Sequence, residues 1–327
     1  MKTIVLTGLA LFLMLLCFAA GSGENFTKCS VKFSAAVDYV TFVADGTQTL
    51  SMSESVATLE YSVNGSVWRE LGTAAVTFGG DKGKLQLRGK NTWGTDGATI
   101  RFGTDAPVAC LGDIRTLVDY ENYTAADTEE ANFDSLFKGC ASLTAAPALP
   151  ATELAESCYY SMFEGCTRLT AAPELPATRL AEFCYEEMFA SCTSLTAAPA
   201  FPATELAESC YYSMFEGCTG LTVAPALPAT ALADGCYERM FAFCTSLTTA
   251  PVLPAATLAE WCYSEMFKGC SSLGSITMLA TDISAEHCLA DWVGGVAQTG
   301  TFVKTKGMTS LPVGRSGIPQ GWSVQDD

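Results

Sequence analysis

The sequence is poor in histidine and in basic residues, and both shortages exclude classes of function. A single histidine, His287, occurs in 327 residues, which argues against multi-histidine metal sites and histidine-based catalysis. Lysine and arginine number 18 against 35 aspartates and glutamates, so the formal net charge is -17. Nucleic acids and anionic membranes are bound through clustered cations, so neither is an expected partner.

Long hydrophobic runs are also scarce, and the one that stands out is N-terminal. Lys2 precedes an apolar run from Ile4 to about Ala20 that ends in small residues. This pattern is typical of a secretory signal peptide, so we expect residues 1–23 to be removed and the protein to be exported, at the cell surface or extracellular. An uncleaved anchor remains an alternative. So does a lipoprotein attached through Cys17, which is disfavoured because the preceding Leu16 is not small. We expect no stable membrane span in the mature chain.

Cysteine, in contrast, is abundant and periodic. One series falls at 140, 166, 192, 218, 244 and 270, and a second at 158, 184, 210, 236, 262 and 288, both in steps of 26. Residues 150–167 and 202–219 are identical, including "CYYSMFEGCT". A fixed period of this length is typical of repeat arrays that add one coil per repeat.

Each repeat predicts a short strand, a proline-rich turn and a helix. In "LTAAPELPATRLAEFCYEEMFASC", residues 169–192, Pro173 and Pro176 favour extended backbone, and Thr178 is a good helix N-cap. Apolar residues then follow at spacings that trace one face of a helix of about three turns. Gly165, Gly217 and Gly269 stand where that helix should end.

The motif "MF-x-x-C-x-x-L" recurs in this array, as in "MFEGCTRLTAAPELPATRLAEFCYEEMF". It resembles the leucine-rich repeats of BspA-like bacterial surface proteins over roughly residues 134–296, and the tail from Ala280 resembles the end of the same proteins. The resemblance implies an exported repeat protein of host-associated anaerobic bacteria, often linked to adhesion. It brings no catalytic residues, and "AP-x-LP" departs from the leucine spacing of plant and animal relatives.

The preceding region has a different pattern of short alternating runs, such as "VDYVTFVA", "TLEYSV" and "GKLQLRG". Asn64-Gly65 is a hairpin signal. The sequence thus predicts an α+β fold: an N-terminal β-sandwich followed by a right-handed, leucine-rich-repeat-like solenoid of strand–helix coils. The predicted boundaries are 1–23 for the signal peptide, 24–120 for the β-domain, 121–139 for the junction and first cap, 140–296 for the repeats and 297–327 for the C-terminal cap.

The cysteine ladders raise three chemical alternatives. Separations of 8 and 18 lack the C-x-x-C spacing of structural zinc sites. Disulfides are permissible after export, and a bond such as Cys166–Cys184 stays open, as does a pair between Cys29 and Cys110. Catalysis by Cys288 is disfavoured because its neighbour His287 points elsewhere on a helix. Buried, reduced thiols are the preferred interpretation, and no cofactor, metal or catalytic residue is predicted.

An acidic ladder also repeats every 26 residues, at Glu156, Glu182, Glu208, Asp234, Glu260 and Glu286. One carboxylate per coil is too few for calcium, which takes six to eight oxygens. We therefore interpret these acids as first-turn residues that complement helix dipoles. Residues 140–272 hold 14 acids and 4 bases, so a partner would be basic, or the charge keeps the protein soluble.

Variable positions beside the predicted helix suggest where a partner would bind. Tyr160, Phe183, Tyr212 and Trp261 occupy columns that change from coil to coil, and exposed aromatics suit protein or glycan contacts. Neutral drift at solvated positions explains the variation equally well. The predicted function is non-enzymatic adhesion to a surface protein or glycan of a host or neighbouring cell. The alternative is a glycan-binding accessory protein that acts through the β-domain, where Trp68 and Trp93 are candidates to stack on sugars. Trp68 lies beside the predicted hairpin, where a tryptophan more often packs in the core.

Overall fold

A computed structural model describes residues 37–126, 130–308 and 311–327. The predicted signal peptide, Cys17 and Cys29 lie outside these residues. Residues Val37–Asp327 form one compact unit. Its strands are β1 Val40–Ala44, β2 Gln48–Met52, β3 Glu60–Val63, β4 Arg69–Glu70, β5 Val76–Phe78, β6 Leu85–Arg88, β7 Ile100–Phe102, β8 Val108–Leu111, β9 Leu143–Ala145, β10 Thr249–Leu253, β11 Ser275–Met278, β12 Thr301–Lys304 and β13 Ser323–Asp326.

The first eight strands lie in two sheets. One has the order β4-β3-β6-β1-β8-β9 and the other the order β5-β2-β7. Alternate residues of β1 and β2 are buried, as expected for strands with one face on a core. Phe42 of β1 contacts Phe78 and Phe102 of the second sheet at ring-centroid distances of 6.3 and 5.9 Å. The core of this region therefore lies between the two sheets.

The larger sheet continues directly into the repeats. β8 pairs in parallel with β9, the strand of the first coil, with Val108 opposite Leu143. The β-domain thus supplies the neighbour that the first coil would otherwise lack. At the other end, β10 to β13 form a parallel sheet in chain order, and β12 and β13 lie within residues 297–327.

The predicted α+β class is wrong. The described residues contain no α-helix, and their helical segments are three short 3₁₀ turns, Gly80–Lys82, Ile114–Leu117 and Tyr123–Ala125. The coils are consequently not strand–helix units of a leucine-rich-repeat-like solenoid. Where a helix was expected, each coil has a run of consecutive turns, here called the turn ribbon. Seven turn ribbons are described, at residues 133–140, 157–166, 183–192, 209–218, 235–244, 261–270 and 287–295.

Alternating hydrogen bonds hold the turn ribbon in place. The N–H of Tyr159 donates to the carbonyl of Cys184 in the next coil (3.0 Å), and the N–H of Phe163 donates to Met188 (2.9 Å). The residues between them bond within their own coil, as Met162 N–H does to the carbonyl of Tyr159 (3.2 Å). Every second amide therefore links neighbouring coils, which an α-helix cannot do because its amides bond to its own carbonyls.

The turn ribbon has a repeat of four residues, close enough to the α-helix to mislead. Cys158 and Tyr159 are apolar and buried, Tyr160 is half-buried, and Met162 and Phe163 are again apolar and buried. Ser161, between these pairs, is buried too, but its hydroxyl bonds to the carboxylates of Glu164 and Glu187. On a helix of 3.6 residues per turn, a step of four overshoots one turn by only about 40°. Over the two steps of each ribbon the apolar residues still share one helical face, so the sequence pattern fits both structures.

The strand side of the middle coils is less regular than predicted. Between β9 and β10 the repeated "LTAAP" segments make only isolated bridges, such as that between Ala197 and Val223. Pro173 and Pro176, with their equivalents in the other coils, have no N–H to donate to a ladder. A continuous sheet returns at β10, whose register shifts around Pro251.

Two columns of stacked aromatic rings fill the core of the array. Phe137, Phe163, Phe189, Phe215, Phe241 and Phe267 follow one another at 5.3 to 5.8 Å, nearly parallel. The second column runs from Phe133 through five tyrosines, Tyr159, Tyr185, Tyr211, Tyr237 and Tyr263. Trp292 ends the phenylalanine column, and its indole N–H donates to the carbonyl of Gly317 (2.9 Å).

The cysteine ladders belong to this core. All thirteen cysteines of the described residues are free and buried, so the bond considered between Cys166 and Cys184 is absent. The thiol of Cys166 donates to the carbonyl of Phe137 at 3.1 Å, and Cys192 does the same to Phe163. Desolvation raises the pKa of these thiols well above 9. From Cys166 to Cys270, each first-ladder cysteine thus caps a carbonyl of the preceding coil, whereas Cys140 caps the carbonyl of Ile100 in β7. Thiols with so high a pKa are poor nucleophiles.

Candidate interaction surface

The outward residues of the turn ribbons form parallel columns across the coils. The first column contains Ser157, Phe183, Ser209, Gly235, Trp261 and His287. The second contains Tyr160, Glu186, Tyr212 and Glu238, which are half-buried, and Ser264, which is buried. The columns are adjacent, because a Cβ on Gly235 would lie 2.9 Å from the Ser209 hydroxyl and 3.9 Å from Glu238 Oε2. All four aromatic residues of the predicted interaction surface lie in these two columns.

The first column has left-handed backbone throughout. Phe183, Trp261 and His287 have φ values of 58°, 57° and 56°, and Ser157 and Ser209 have similar values. A side chain in this conformation costs roughly 1–2 kcal/mol per residue, and bulky residues are rare there. Glycine, which occupies the column at Gly235, avoids the cost. The large aromatic side chains therefore stand where the backbone disfavours them.

Trp261 is the most exposed of the four predicted residues, with 37% of its surface accessible. Its indole lies against the imidazole of His287, with ring centroids 4.1 Å apart. The indole N–H donates to Glu260 Oε1 at 3.0 Å, and His287 Nε2 lies 3.1 Å from Glu286 Oε1. Two rings and two carboxylates thus form a small exposed group on adjacent coils.

Tyr160, Phe183 and Tyr212 form a second group on three successive coils, and all three are half-buried. Glu186 lies in the same column between the two tyrosines. Burial, followed by the charge of Glu187, raises the pKa of Glu186 to about 7. Burial also raises the pKa of Tyr160 and of Tyr212. This group combines aromatic surface with hydroxyls and a carboxyl group that changes charge near neutral pH.

Sequence reasoning missed Phe243, which is 42% exposed and has a φ of 60°. It lies over Gly269 of the next coil, where a Cβ would collide with the phenyl ring. A signal was present, because the equivalent positions of most other coils are glycines: Gly139, Gly165, Gly217, Gly269 and Gly295. Phe243 is thus a third aromatic residue on strained backbone, after the half-buried Phe183 and the exposed Trp261.

The acidic ladder does not complement helix dipoles, since the coils have no helices in the described residues. Its six side chains are exposed, and the backbone carbonyls of five of them accept amides of the preceding coil, as Glu182 does from Ser157 (3.0 Å). The dipole interpretation was therefore wrong. No three His, Cys, Asp or Glu side chains of the described residues come together as a metal site would require.

A separate chain of ion pairs crosses the C-terminal coils. Arg239 bridges Glu216 and Glu265, Lys268 bridges Glu265 and Asp291 (2.9 and 3.3 Å), and Arg315 reaches Asp291 (2.5 Å). Except for Arg315, these side chains expose about a quarter of their surface, so the network is partly shielded from water. These cations pair with acids of their own or of neighbouring coils, and none of the pairs includes a residue of the acidic ladder.

The tryptophans of the β-domain differ from each other. Trp68 packs on Tyr39 with centroids 4.9 Å apart, and the Arg88 guanidinium lies 4.2 Å over its ring. Trp93 is 47% exposed, in a loop where Asn91 Oδ1 accepts the N–H groups of Trp93 and Gly94. Trp93 is therefore the better placed of the two to meet a ligand.

Comparison with known proteins gives no relative: no family model, no curated protein and no solved structure matches this chain. Among the described residues, none of the helical segments is long and apolar enough to cross a membrane.

Proposed function

We propose that this is an exported, non-enzymatic repeat protein that binds a macromolecule on a host or microbial surface through the outer face of its turn ribbons. The N-terminal pattern supports export, and the resemblance of the "MF-x-x-C-x-x-L" repeats to BspA-like surface proteins supports adhesion. N-terminal sequencing of the secreted protein tests the first point, since a start between about residues 21 and 24 is expected.

One observation carries the choice of surface. Phe183, Trp261 and Phe243 are aromatic residues at left-handed positions where glycine or serine stands in other coils. Strain at surface positions is a recognised mark of functional sites, because nothing in the fold itself requires a large side chain there. Exposed aromatic residues also supply much of the binding energy in protein interfaces.

The strain makes the test unusually selective. Trp261→Gly removes the ring and relieves the backbone, so we expect stability to stay within about 1 kcal/mol while binding falls tenfold or more. Ser209→Gly is the matched control, because it makes the same backbone change in the same column without removing an aromatic group. Binding would be measured on arrays of extracellular proteins and of glycans. Unchanged binding by both Trp261→Gly and Phe183→Gly would contradict the proposed surface.

A second candidate function is glycan binding through the β-domain, favoured by the exposure of Trp93. Deleting the β-domain would be a poor test, because β9 would lose its pairing with β8. Trp93→Ala is the better variant, with Trp68→Ala as a contrast because Trp68 is packed in place. Loss of glycan-array signal in Trp93→Ala, with outer-face variants unaffected, would favour this alternative.

A further inference from the structure

A cleft of about 510 Å³ separates the outer edge of β7 from the first coil. Among its lining residues are Arg101, Phe102, Thr104, Lys138 and Ser142. The cleft is bridged at both ends. At one end Ile100 N–H donates to the carbonyl of Leu136 (2.7 Å), and at the other the Ser142 hydroxyl donates to the carbonyl of Thr104 (2.9 Å).

The cleft exists because the first coil has no full coil before it. In the array, each ribbon carbonyl in the position of Lys138 accepts an amide of the preceding coil, as Glu164 does from Gly139 (2.7 Å). In front of the first coil, the amide of Ile100 in β7 takes the place of an amide from a preceding coil. Two residues later, at Phe102, β7 no longer bonds to the first coil. Gly103 N–H bonds to Thr49 of β2, so by strand alternation the backbone groups of Phe102 face the cleft. Backbone hydrogen-bonding groups thus line both walls.

The charge of the cleft is opposite to that of the protein. Arg101 is exposed on β7, and Lys138 lies on the facing wall, where its Nζ contacts Glu164 Oε2 at 2.6 Å. Arg168, from the second coil, donates through Nη1 to the carbonyl of Asp105, a lining residue (2.6 Å). Three cations therefore gather around one cleft, with the carboxylates of Asp105 and Glu164 beside them, in a chain of net charge -17.

We propose that this cleft binds an acidic sugar, a saccharide unit that carries a carboxylate or sulfate group. Arg101 and Arg168 bind the anionic group, because guanidinium groups bond oxyanions with paired, charge-assisted donors. The sugar hydroxyls bond the backbone groups of Phe102 and the carbonyl of Lys138. The volume is within the range of small-ligand sites and far exceeds the size of a lone oxyanion. This site is independent of the outer face and its proposed partner.

The test is a calorimetric titration of the full secreted protein with four probes: a uronic acid disaccharide, a sulfated disaccharide, the matching neutral disaccharide and sodium sulfate. We expect one or both acidic disaccharides to bind at least about tenfold more tightly than the neutral one, and more weakly as NaCl is raised. Which of them binds identifies the anionic group. Equal binding of the neutral disaccharide, binding of sulfate as tight as that of the sugars, or no saturation by millimolar disaccharide would overturn the proposal.

Variants locate the site. Arg101→Gln and Arg168→Gln are each expected to weaken acidic disaccharide binding about tenfold, with unchanged circular dichroism. Arg69→Gln, in the edge strand β4, and Lys306→Gln, beyond β12, remove the same charge elsewhere and should leave the affinity unchanged. An equal loss in all four variants would show a general charge effect and refute the cleft. Trp261→Gly should leave the binding of acidic disaccharides unchanged. The cleft proposal and the outer-face proposal can therefore be refuted separately.

Discussion

The substitution Gly235→Ala distinguishes the turn ribbon from an α-helix, because the two structures predict changes of opposite sign in the free energy of unfolding. Gly235 has a φ of 61° and lies inside the segment whose sequence predicts a helix. In a helix interior, glycine to alanine stabilises by about 1 kcal/mol. In the left-handed conformation, alanine adds about 1–2 kcal/mol of strain, which outweighs the 0.4–1 kcal/mol gained by restricting the unfolded chain. We therefore expect a net loss of roughly 0.5–1 kcal/mol.

A steric contribution must be separated from the backbone strain. The new Cβ would lie 2.9 Å from the Ser209 hydroxyl. The substitution is therefore made in a Ser209→Gly background, which removes that hydroxyl. Ser209→Gly alone should be neutral or slightly stabilising in the turn ribbon, because it relieves the same strain, whereas in a helix it should destabilise by about 0.5 kcal/mol.

Scanning calorimetry and urea unfolding would measure both effects. For a protein of this size, 1 kcal/mol corresponds to about 2 °C in Tm. We expect Gly235→Ala to lower the Tm in the Ser209→Gly background. A rise of about 2 °C for Gly235→Ala, together with a fall for Ser209→Gly, would refute the turn ribbon and restore the helix.

Three further predictions concern the core and the outer face. Phe189→Ala should lower the free energy of unfolding in urea by about 3–5 kcal/mol, since it opens a cavity between Phe163 and Phe215; a loss below 1 kcal/mol would contradict the stack. Glu186 has a folded pKa of about 7 against an ordinary 4.5, so its protonation contributes to the free energy of unfolding fully below pH 4.5, and this contribution is lost as pH rises through 7. Glu186→Gln should flatten the dependence of the free energy of unfolding on pH. Parallel pH curves for the variant and the unmodified protein would contradict this prediction. The array thiols should resist iodoacetamide at pH 8 and react in urea, as counted by mass spectrometry; native labelling at the rate of a free thiol would oppose their burial.

The sequence was sufficient for the periodic part of this protein. The 26-residue register, the buried stripe of Cys158, Met162, Phe163 and Cys166, and the buried thiols all follow from repetition and from the preference of free cysteine for the interior. It was not sufficient for the secondary structure of that stripe. A four-residue repeat over two steps fits the face of an α-helix as well as a turn ribbon, and only the inter-coil hydrogen bonds distinguish them.

The candidate interaction surface was likewise predicted only in part from the sequence. Variation between coils identified Tyr160, Phe183, Tyr212 and Trp261 as candidates, and their binding role stays a prediction. The left-handed backbone under Phe183 and Trp261 was not visible, although Gly235 in the same column was a hint. Phe243 was missed because its column was interpreted as the end of a helix, where a glycine is a cap and its replacement attracts no attention.

By itself, the sequence determined what is local and repeated: which residues are apolar, where prolines deny a donor, and how often each pattern returns. The tertiary structure decided what depends on neighbours distant in the chain. The amide of Tyr159 bonds to Cys184 because a second coil lies beside the first, not because of anything within its own ten residues. The cleft at Phe102 and Lys138 likewise arises where that neighbour is missing and β7 replaces it only in part. Hydrogen bonds between coils have no signature within one coil, so these features required the fold.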